Sequence, residues 1–377
     1  MNFRVHKIRN RRRPSRDFKQ FLSKKVLRII LGVGVLIAVF GAGVWAVKSG
    51  VFGSAPQKIL SLTPLETDNN GHTNILLLGV AGTTEEGGHL TDSMMIVSVN
   101  PDRPSVSILS LPRDLYLSSN IGEHKINAIY ALARAKHGEG KSLEIVKRAI
   151  SSFTGVDIHY AAVVDFALFE EGINLLGGVE VFVPQDIEDD RYPGPNYSYE
   201  TFVVRKGIHI FDGKTALKYA RSRKSSSDYD RARRQQDLVL AMQKKLESMG
   251  WAENAQKIRQ FYDLFRRKVN TDIGLTEIMA LGKIAMDIDF ADITSFVLND
   301  DPSQPGGLLY TPAKEFYNGQ FVLLPDDIED TRTFMQLILS NPDIHQEDTQ
   351  IVILNGSGRE GLAGTLAARI RQLGFHV

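Results

Sequence analysis

The stretch Ile29–Val47 limits what this chain can fold into more than any other. It runs for 19 residues without a charge and is rich in Ile, Leu, Val, Ala and Gly. As a helix rising about 1.5 Å per residue, it matches a hydrocarbon core of roughly 30 Å. Trp45 and Lys48 stand where an interface anchor and a stop belong. Residues 1–28 carry 11 Lys and Arg against one acid, Asp17, for a net charge of +10. The positive-inside rule then predicts a cytoplasmic tail over 1–28, one transmembrane helix over 29–47, and an extracytoplasmic body after Lys48. The competing reading is a cleaved signal peptide. Its apolar region runs to about 7–15 residues and ends at a small-residue cleavage site. Gly53-Ser54-Ala55 is only a weak candidate for such a site, so length favours an uncleaved anchor in the cell membrane.

The rest of the chain is mildly acidic, with 34 basic and 43 acidic residues. That excludes general nucleic-acid binding, which needs a broad positive surface. The basic tail, lying beside a membrane span, reads as a topology and anionic-lipid signal. The chain has no cysteine, which excludes disulfides and thiol chemistry from the exported part.

Length predicts two or three domains. Residues 48–71 read as a linker and 72–340 as the main domain. Asn74–Val80 is a continuous apolar run, as in a strand buried on both faces. Met94–Val99 and Val106–Leu111 read as further strands, Asn127–Lys136 and Leu143–Phe153 as helices, with Gly155 as a C-cap. His159–Phe166 reads as strand, Leu168–Leu176 as helix, Val179–Val183 as strand, and Gln185–Tyr199 as a long polar loop. Farther on, Ala255–Lys268, Leu275–Asp287 and Thr331–Leu339 read as helices, and Ile293–Leu298 and Gln320–Leu324 as strands. The alternation predicts an α/β domain whose sheet carries helices on both faces. Residues 341–348 read as a second linker. After it come a strand (Gln350–Leu354), a turn at 355–358 and a helix (Glu360–Leu373). One strand and one helix cannot bury a core, so 349–377 is expected to be the truncated start of a small α/β domain, or a unit that a partner completes.

The chemistry concentrates in Tyr219–Gln236, which holds Arg221, Arg223, Arg231, Arg233 and Arg234. Arg221 and Arg223 are two apart, which on an extended segment points them to one side. Ser227 reads as a helix N-cap with Asp230 as its capping-box partner. The helix that follows carries Arg231, Arg234 and Gln235 in its first turns. Guanidinium forks beside a helix N-terminus suit an anion, phosphate above all. The alternative is a solvated basic helix with surface ion pairs.

The order of motifs along the chain decides between them. Leu90-Thr91-Asp92-Ser93-Met94-Met95, Ser110-Leu111-Pro112-Arg113-Asp114-Leu115-Tyr116, Lys125-Ile126-Asn127-Ala128, Leu176-Gly177-Gly178-Val179 and the arginine stretch follow one another at sensible spacing. Over about residues 72–340 the chain resembles the LytR-CpsA-Psr family, membrane-anchored bacterial enzymes that move glycopolymers onto the cell wall. The 349–377 unit resembles the opening of the small domain that often follows in that family. The resemblance implies a central mixed sheet in an α/β/α arrangement. It also implies a phosphotransferase that takes a glycopolymer from a polyprenyl-pyrophosphate carrier to peptidoglycan. By the same resemblance Asp92 binds a divalent metal, expected to be Mg²⁺, and Arg113, Arg221, Arg223 and Arg231 hold phosphoryl oxygens. Asp228 is the candidate proton acceptor, Arg231 shares the catalytic work and Gln235 orients. Lys125 and Asn127 read as turn and helix-start residues, and His89 and His124 as exposed loop residues.

The chain departs from the family pattern at Ala81 and Leu90, where many members carry an aspartate and an arginine. Either Glu85, Glu86 or His89 substitutes, or the metal is held by Asp92, substrate oxygens and water, as Mg²⁺ commonly is. The alternative function is an envelope protein that grips polyprenyl phosphates without turnover.

Overall fold

The computed structural model describes residues 65–80, 89–102, 105–193, 198–222, 269–274, 293–341 and 349–377, with short stretches between 234 and 284 and residues 344–345. The predicted transmembrane helix over 29–47 lies outside the described residues. Among the described residues no helix is long and apolar enough to cross a membrane.

The sheet is built on β1 (Thr73–Val80). Side chains alternate along a strand, yet β1 is apolar at odd and even positions alike. Ile75 and Leu77 bury in one apolar cluster, and Leu76 and Leu78 in another. Such a strand belongs in the middle layer of three. β1 pairs antiparallel with β2 (Thr91–Asn100) and parallel with β6 (Tyr160–Asp165). β3 (Ser105–Leu111) runs antiparallel to β2, and β12 (Thr294–Val297) runs parallel to β3. β11 (Asn270–Thr271) closes the other edge, antiparallel to β6. The order β11-β6-β1-β2-β3-β12 is therefore a mixed sheet.

Helices cover both faces. α1 (Ile126–His137), α2 (Glu139–Thr154) and α5 (Ile328–Ser340) bury Ile129, Ile150 and Phe334 against Leu76 and Leu78. α3 (Phe166–Leu175) and α4 (Gly213–Arg221) bury Ile173 and Tyr219 on the Ile75 side. The helix ends follow from local chemistry. Gly155 ends α2 in the left-handed conformation at φ 69°, its N–H donating to the Ser151 carbonyl. Asp165, Asp212 and Asp327 each accept a backbone N–H three residues on, at 2.7–2.9 Å, and so start α3, α4 and α5. α3 and α4 approach closely at Gly213, where a Cβ would stand 2.0 Å from the Glu170 carbonyl oxygen.

Several expected elements differ. The polar loop predicted over 185–199 is largely a hairpin, β8 (Ile187–Pro193) with β9 (Tyr199–Val204). Its inner face is confined to residues such as Ile187, Tyr192 and Phe202, so its composition stays polar. β4 (Tyr116–Ser119) and β5 (Gly122–Lys125) form a second hairpin between motifs. β10 (Gly207–Phe211) pairs antiparallel with β7 (Val179–Val183). The strand expected over 320–324 is reduced to β14 (Leu324–Pro325), paired with β13 (Leu309–Tyr310), beside a bridge from Leu323 to Leu115. Of the strand expected over 350–354, the structure keeps a single bridge, Gln350 to His376, and Val352 and Leu354 are exposed because nothing packs on them.

The C-terminal segment lies against the main body. α6 (Leu362–Gln372) accepts the Gly306 N–H on the Gln372 carbonyl at 2.8 Å, and Arg369 pairs with Asp330. His345 bonds the Leu373 carbonyl at 2.9 Å and stacks on Phe375, with the Phe296 ring edge-on to it at 4.9 Å between centroids.

Candidate active site

The sheet decides which motifs meet. β1, β3 and β6 run in one direction and β2 in the other. The pairs Val80–Thr91 and Met94–Leu111 therefore bring the start of β2 to the carboxyl ends of β1 and β3. Ligands of open α/β sheets gather outside those ends. There Arg113 Nη1 lies 3.1 Å from Asp92 Oδ1, both side chains half-exposed. Arg113 Nε lies 3.5 Å from Asp114 Oδ2, and Asp114 Oδ1 takes Lys125 Nζ at 3.0 Å. The backbone ties the same segments together. The Ile126 N–H donates to the Leu115 carbonyl at 2.7 Å, and Thr91 Oγ1 donates to the Asn127 carbonyl at 3.2 Å. Three motifs separated in sequence form one knot. Its inner pair, Asp114 and Lys125, is structural, and its outer pair, Asp92 and Arg113, faces solvent.

The arginine stretch is arranged otherwise than expected. Arg221 is the last residue of α4, not part of an extended segment. Lys214, Lys218 and Arg221 keep to helical spacing because α4 buries Ala216, Leu217, Tyr219 and Ala220. The Arg221 guanidinium carbon stands 5.9 Å from the ring centroid of buried Tyr192, with Lys218 Nζ at 5.7 Å from the same ring. Burial pushes the Tyr192 hydroxyl above its ordinary value, and the Arg221 charge works against that rise.

Arg234 is buried. Its Nη2 donates to the Ser222 carbonyl at 2.6 Å, and its guanidinium lies 5.7 Å from the Tyr219 ring. Ser222 Oγ in turn donates to buried Asp189 at 3.1 Å. Arg234 thus holds the segment after α4 and is not displayed to an anion. The sequence carried a sign of this, because Arg234, Leu238 and Met242 follow one another at intervals of four, and Leu238 and Met242 are buried.

Arg223, Asp228, Arg231 and Gln235, and with them the Ser227 cap, lie outside the described residues. The structure thus joins Asp92 to Arg113 and sets Arg221 on a different element. Asn127 is a helix-start residue, as expected, whereas Lys125 is not in a turn: it ends β5 and stands at the N-cap of α1, because its backbone pairs with Tyr116 across the β4–β5 ladder. His89 and His124 are half-buried and partnered, not exposed: His89 Nε2 meets the Arg134 guanidinium, and His124 Nε2 lies 3.3 Å from the Ile121 carbonyl.

For a metal, the donor set is narrow. Asp92 is one carboxylate at the rim, and no group of three or more His, Cys, Asp or Glu that could hold an ion exists among the described residues. One accessible carboxylate fits a Mg²⁺ whose shell is completed by substrate oxygens and water, not an all-protein cage.

The LytR_cpsA_psr family model matches residues 51–319. The chain belongs to this family. Among LytR_cpsA_psr relatives, Regulatory protein MsrR of Staphylococcus aureus (strain COL) is 31% identical over 207 residues, which are 54% of this chain and 58% of MsrR. Polyisoprenyl-teichoic acid--peptidoglycan teichoic acid transferase TagV of Bacillus subtilis (strain 168) is 29% identical over 218 residues, 56% of this chain and 52% of TagV. The chain thus spans little more than half the length of either relative. The crystal structure of B. subtilis TagV aligns with a TM-score of 0.48 at 24% identity, covering 72% of this chain and 98% of that one.

Proposed function

We propose that this LytR_cpsA_psr protein is a membrane-anchored phosphotransferase that moves a glycopolymer from a polyprenyl-pyrophosphate carrier onto peptidoglycan. The observation that carries the reading is the Asp92–Arg113 pair at 3.1 Å, set at the carboxyl ends of the strands and fixed by the Asp114–Lys125 pair beneath it. The family and the name of its relative TagV support the same class of reaction.

In the reaction a peptidoglycan sugar hydroxyl attacks the phosphorus that carries the polymer. A sugar O–P bond forms, the bond to the bridging oxygen breaks, and polyprenyl phosphate leaves. Arg113 binds phosphoryl oxygens and stabilises charge as it moves, as a planar fork does best. Arg221, Arg223 and Arg231 are proposed to share that work, Asp228 to accept the hydroxyl proton, and Gln235 to orient the nucleophile. Asp92 would hold Mg²⁺, which when bound neutralises charge on the pyrophosphate. The body faces outward from the membrane, tethered by the basic tail and the apolar run.

The test is transfer of labelled polymer from lipid pyrophosphate to peptidoglycan, beside calorimetric titration of the same lipid. Arg113→Ala is expected to weaken lipid binding by about 2–4 kcal/mol, since one charge-assisted bond contributes about 1.5–3 kcal/mol and the fork makes more than one. Asp228→Asn is expected to bind lipid as the parent does and to transfer nothing. Tight binding by the parent with no transfer under any condition would leave a lipid-gripping protein in place of an enzyme.

A further inference from the structure

The two-stranded sheet of β7 and β10 has one packed face and one bare face. Val179, Val181 and Val183 of β7 and Phe211 of β10 are buried in the apolar cluster beside α3 and α4. Strand alternation then forces Phe182, Ile208 and Ile210 outward. They are 60%, 69% and 76% exposed, the most open large apolar side chains of any sheet among the described residues except Tyr199 of β9. Phe182 and Ile208 are direct cross-strand partners, and Ile210 stands two residues on along the same face. Three large apolar side chains in one contiguous patch have a cost in water and mark a contact surface. The strand pair cannot turn the patch inward, because the valines on its other face are already packed.

The geometry points to a lipid surface as the occupant: the outer face of β7 and β10 lies on the membrane in which residues 29–47 are anchored. This rests on the membrane-anchored reading above and adds which face of the body meets the lipid. Two further observations favour lipid. Residues 48–64 separate the apolar run from the first described residue, and that many residues span at most about 60 Å, so an anchored body stays within that distance of the bilayer and meets it often. Leu65, where the described chain begins, is buried in the same cluster as the inner faces of β7 and β10. The chain therefore enters the body on the layer that carries the patch.

The polar groups at the patch suit a headgroup region. Arg205 and Lys206 form the turn into β10, both exposed. Asp186 pairs with Arg205 at 2.9 Å and accepts the Lys206 N–H at 2.7 Å, while the Lys206 ammonium has no ion-pair partner among the described residues. Glu180, on the outer face, has Lys244 at 3.8 Å to offset it. Apolar side chains entering the interface with flanking Lys and Arg reaching phosphate is how a surface rests on anionic lipid.

The test uses the absence of cysteine from the chain. The full chain carrying Ile208→Cys alone, and a second carrying Leu354→Cys alone, are labelled with an environment-sensitive fluorophore. Both are reconstituted in phosphatidylethanolamine–phosphatidylglycerol vesicles. Both positions are exposed, so neither change disturbs packing. The probe at 208 is expected to shift to the blue and lose intensity to nitroxide-labelled lipid, while the probe at 354 loses intensity only to aqueous iodide. A probe at 208 quenched by iodide as readily as the one at 354 overturns the inference. So does a probe at 208 shielded from both quenchers, which would place a second copy or another protein on the patch. A chain that does not float with the vesicles overturns the anchor and the patch together, whereas a floating chain with an unquenched probe at 208 overturns the patch alone.

Discussion

Asp92 and Asp114 are both carboxylates beside Arg113, and the structure gives them opposite expected losses. Asp114→Ala removes the partner of Lys125 at 3.0 Å, where the two side chains are only 17% and 23% exposed. A hydrogen bond between charged groups contributes about 1.5–3 kcal/mol, and Lys125 is left half-buried without its counter-charge. Some screening remains at that exposure, so the expected loss of stability is about 1–3 kcal/mol. Asp92→Ala removes a pair whose side chains are 37% and 48% exposed, and such pairs contribute about 0–1 kcal/mol. At about 2–4 °C per kcal/mol for a domain of this size, the two variants separate in a thermal melt. Melting of the detergent-solubilised full chain, followed by circular dichroism, is the assay. Asp114→Ala should melt several degrees below the parent, and Asp92→Ala close to it. Asp92→Ala should instead lose any Mg²⁺-dependent tightening of lipid pyrophosphate in calorimetry. An Asp92→Ala melt as low as that of Asp114→Ala, or an Asp114→Ala melt equal to the parent, would refute the division into an inner structural pair and an outer functional one.

Arg234→Ala should cost about 1–3 kcal/mol of stability by leaving the buried Ser222 carbonyl without its donor, whereas Arg221→Ala should lower lipid binding with little change in the melt; the reverse order in paired melts and titrations would reject this assignment. Docking of the C-terminal segment should weaken in acid. Burial holds the His345 imidazole below its ordinary value, with the bond to the Leu373 carbonyl opposing, so between the folded value and about 6.5 the unfolded segment binds more protons than the docked one. That stability is present above about pH 6.5 and is lost as pH falls toward the folded value. Hydrogen exchange of residues 369–375, corrected for intrinsic rates, should show protection fading in that window, and protection unchanged through it would contradict the claim.

The sequence by itself determined the layered core. From Ile75 to Leu78 β1 is apolar at every position because both faces are covered, and an uninterrupted run of that kind reads directly as a central strand. The 3.6-residue spacing placed the helices ending at Thr154 and Ser340, and Gly155 marked its helix end because only a glycine sits freely at positive φ. The motif order gave the family, and the Pro-Arg-Asp and Leu-Thr-Asp segments stood out as candidates before any geometry. Tertiary structure decided the rest. That Asp92 meets Arg113 while Asp114 is taken by Lys125 depends on strand pairing across β2 and β3 and on where α1 begins, neither of which is local. The β8–β9 pair looked like a loop because a strand packed on one face can be polar in composition, and the register that pairs Ile187 with Val204 is not written in either segment alone. Arg221 took the helical conformation of α4 because four neighbouring residues bury against the body, which outweighs any local preference for an extended segment. Arg234 carries the same side chain as its neighbours, and it is buried only because its place on the helix turns it, with Leu238 and Met242, toward the core. A side chain's type fixes the chemistry it can perform, but whether that chemistry faces a ligand or the interior is set by what the rest of the chain packs against it.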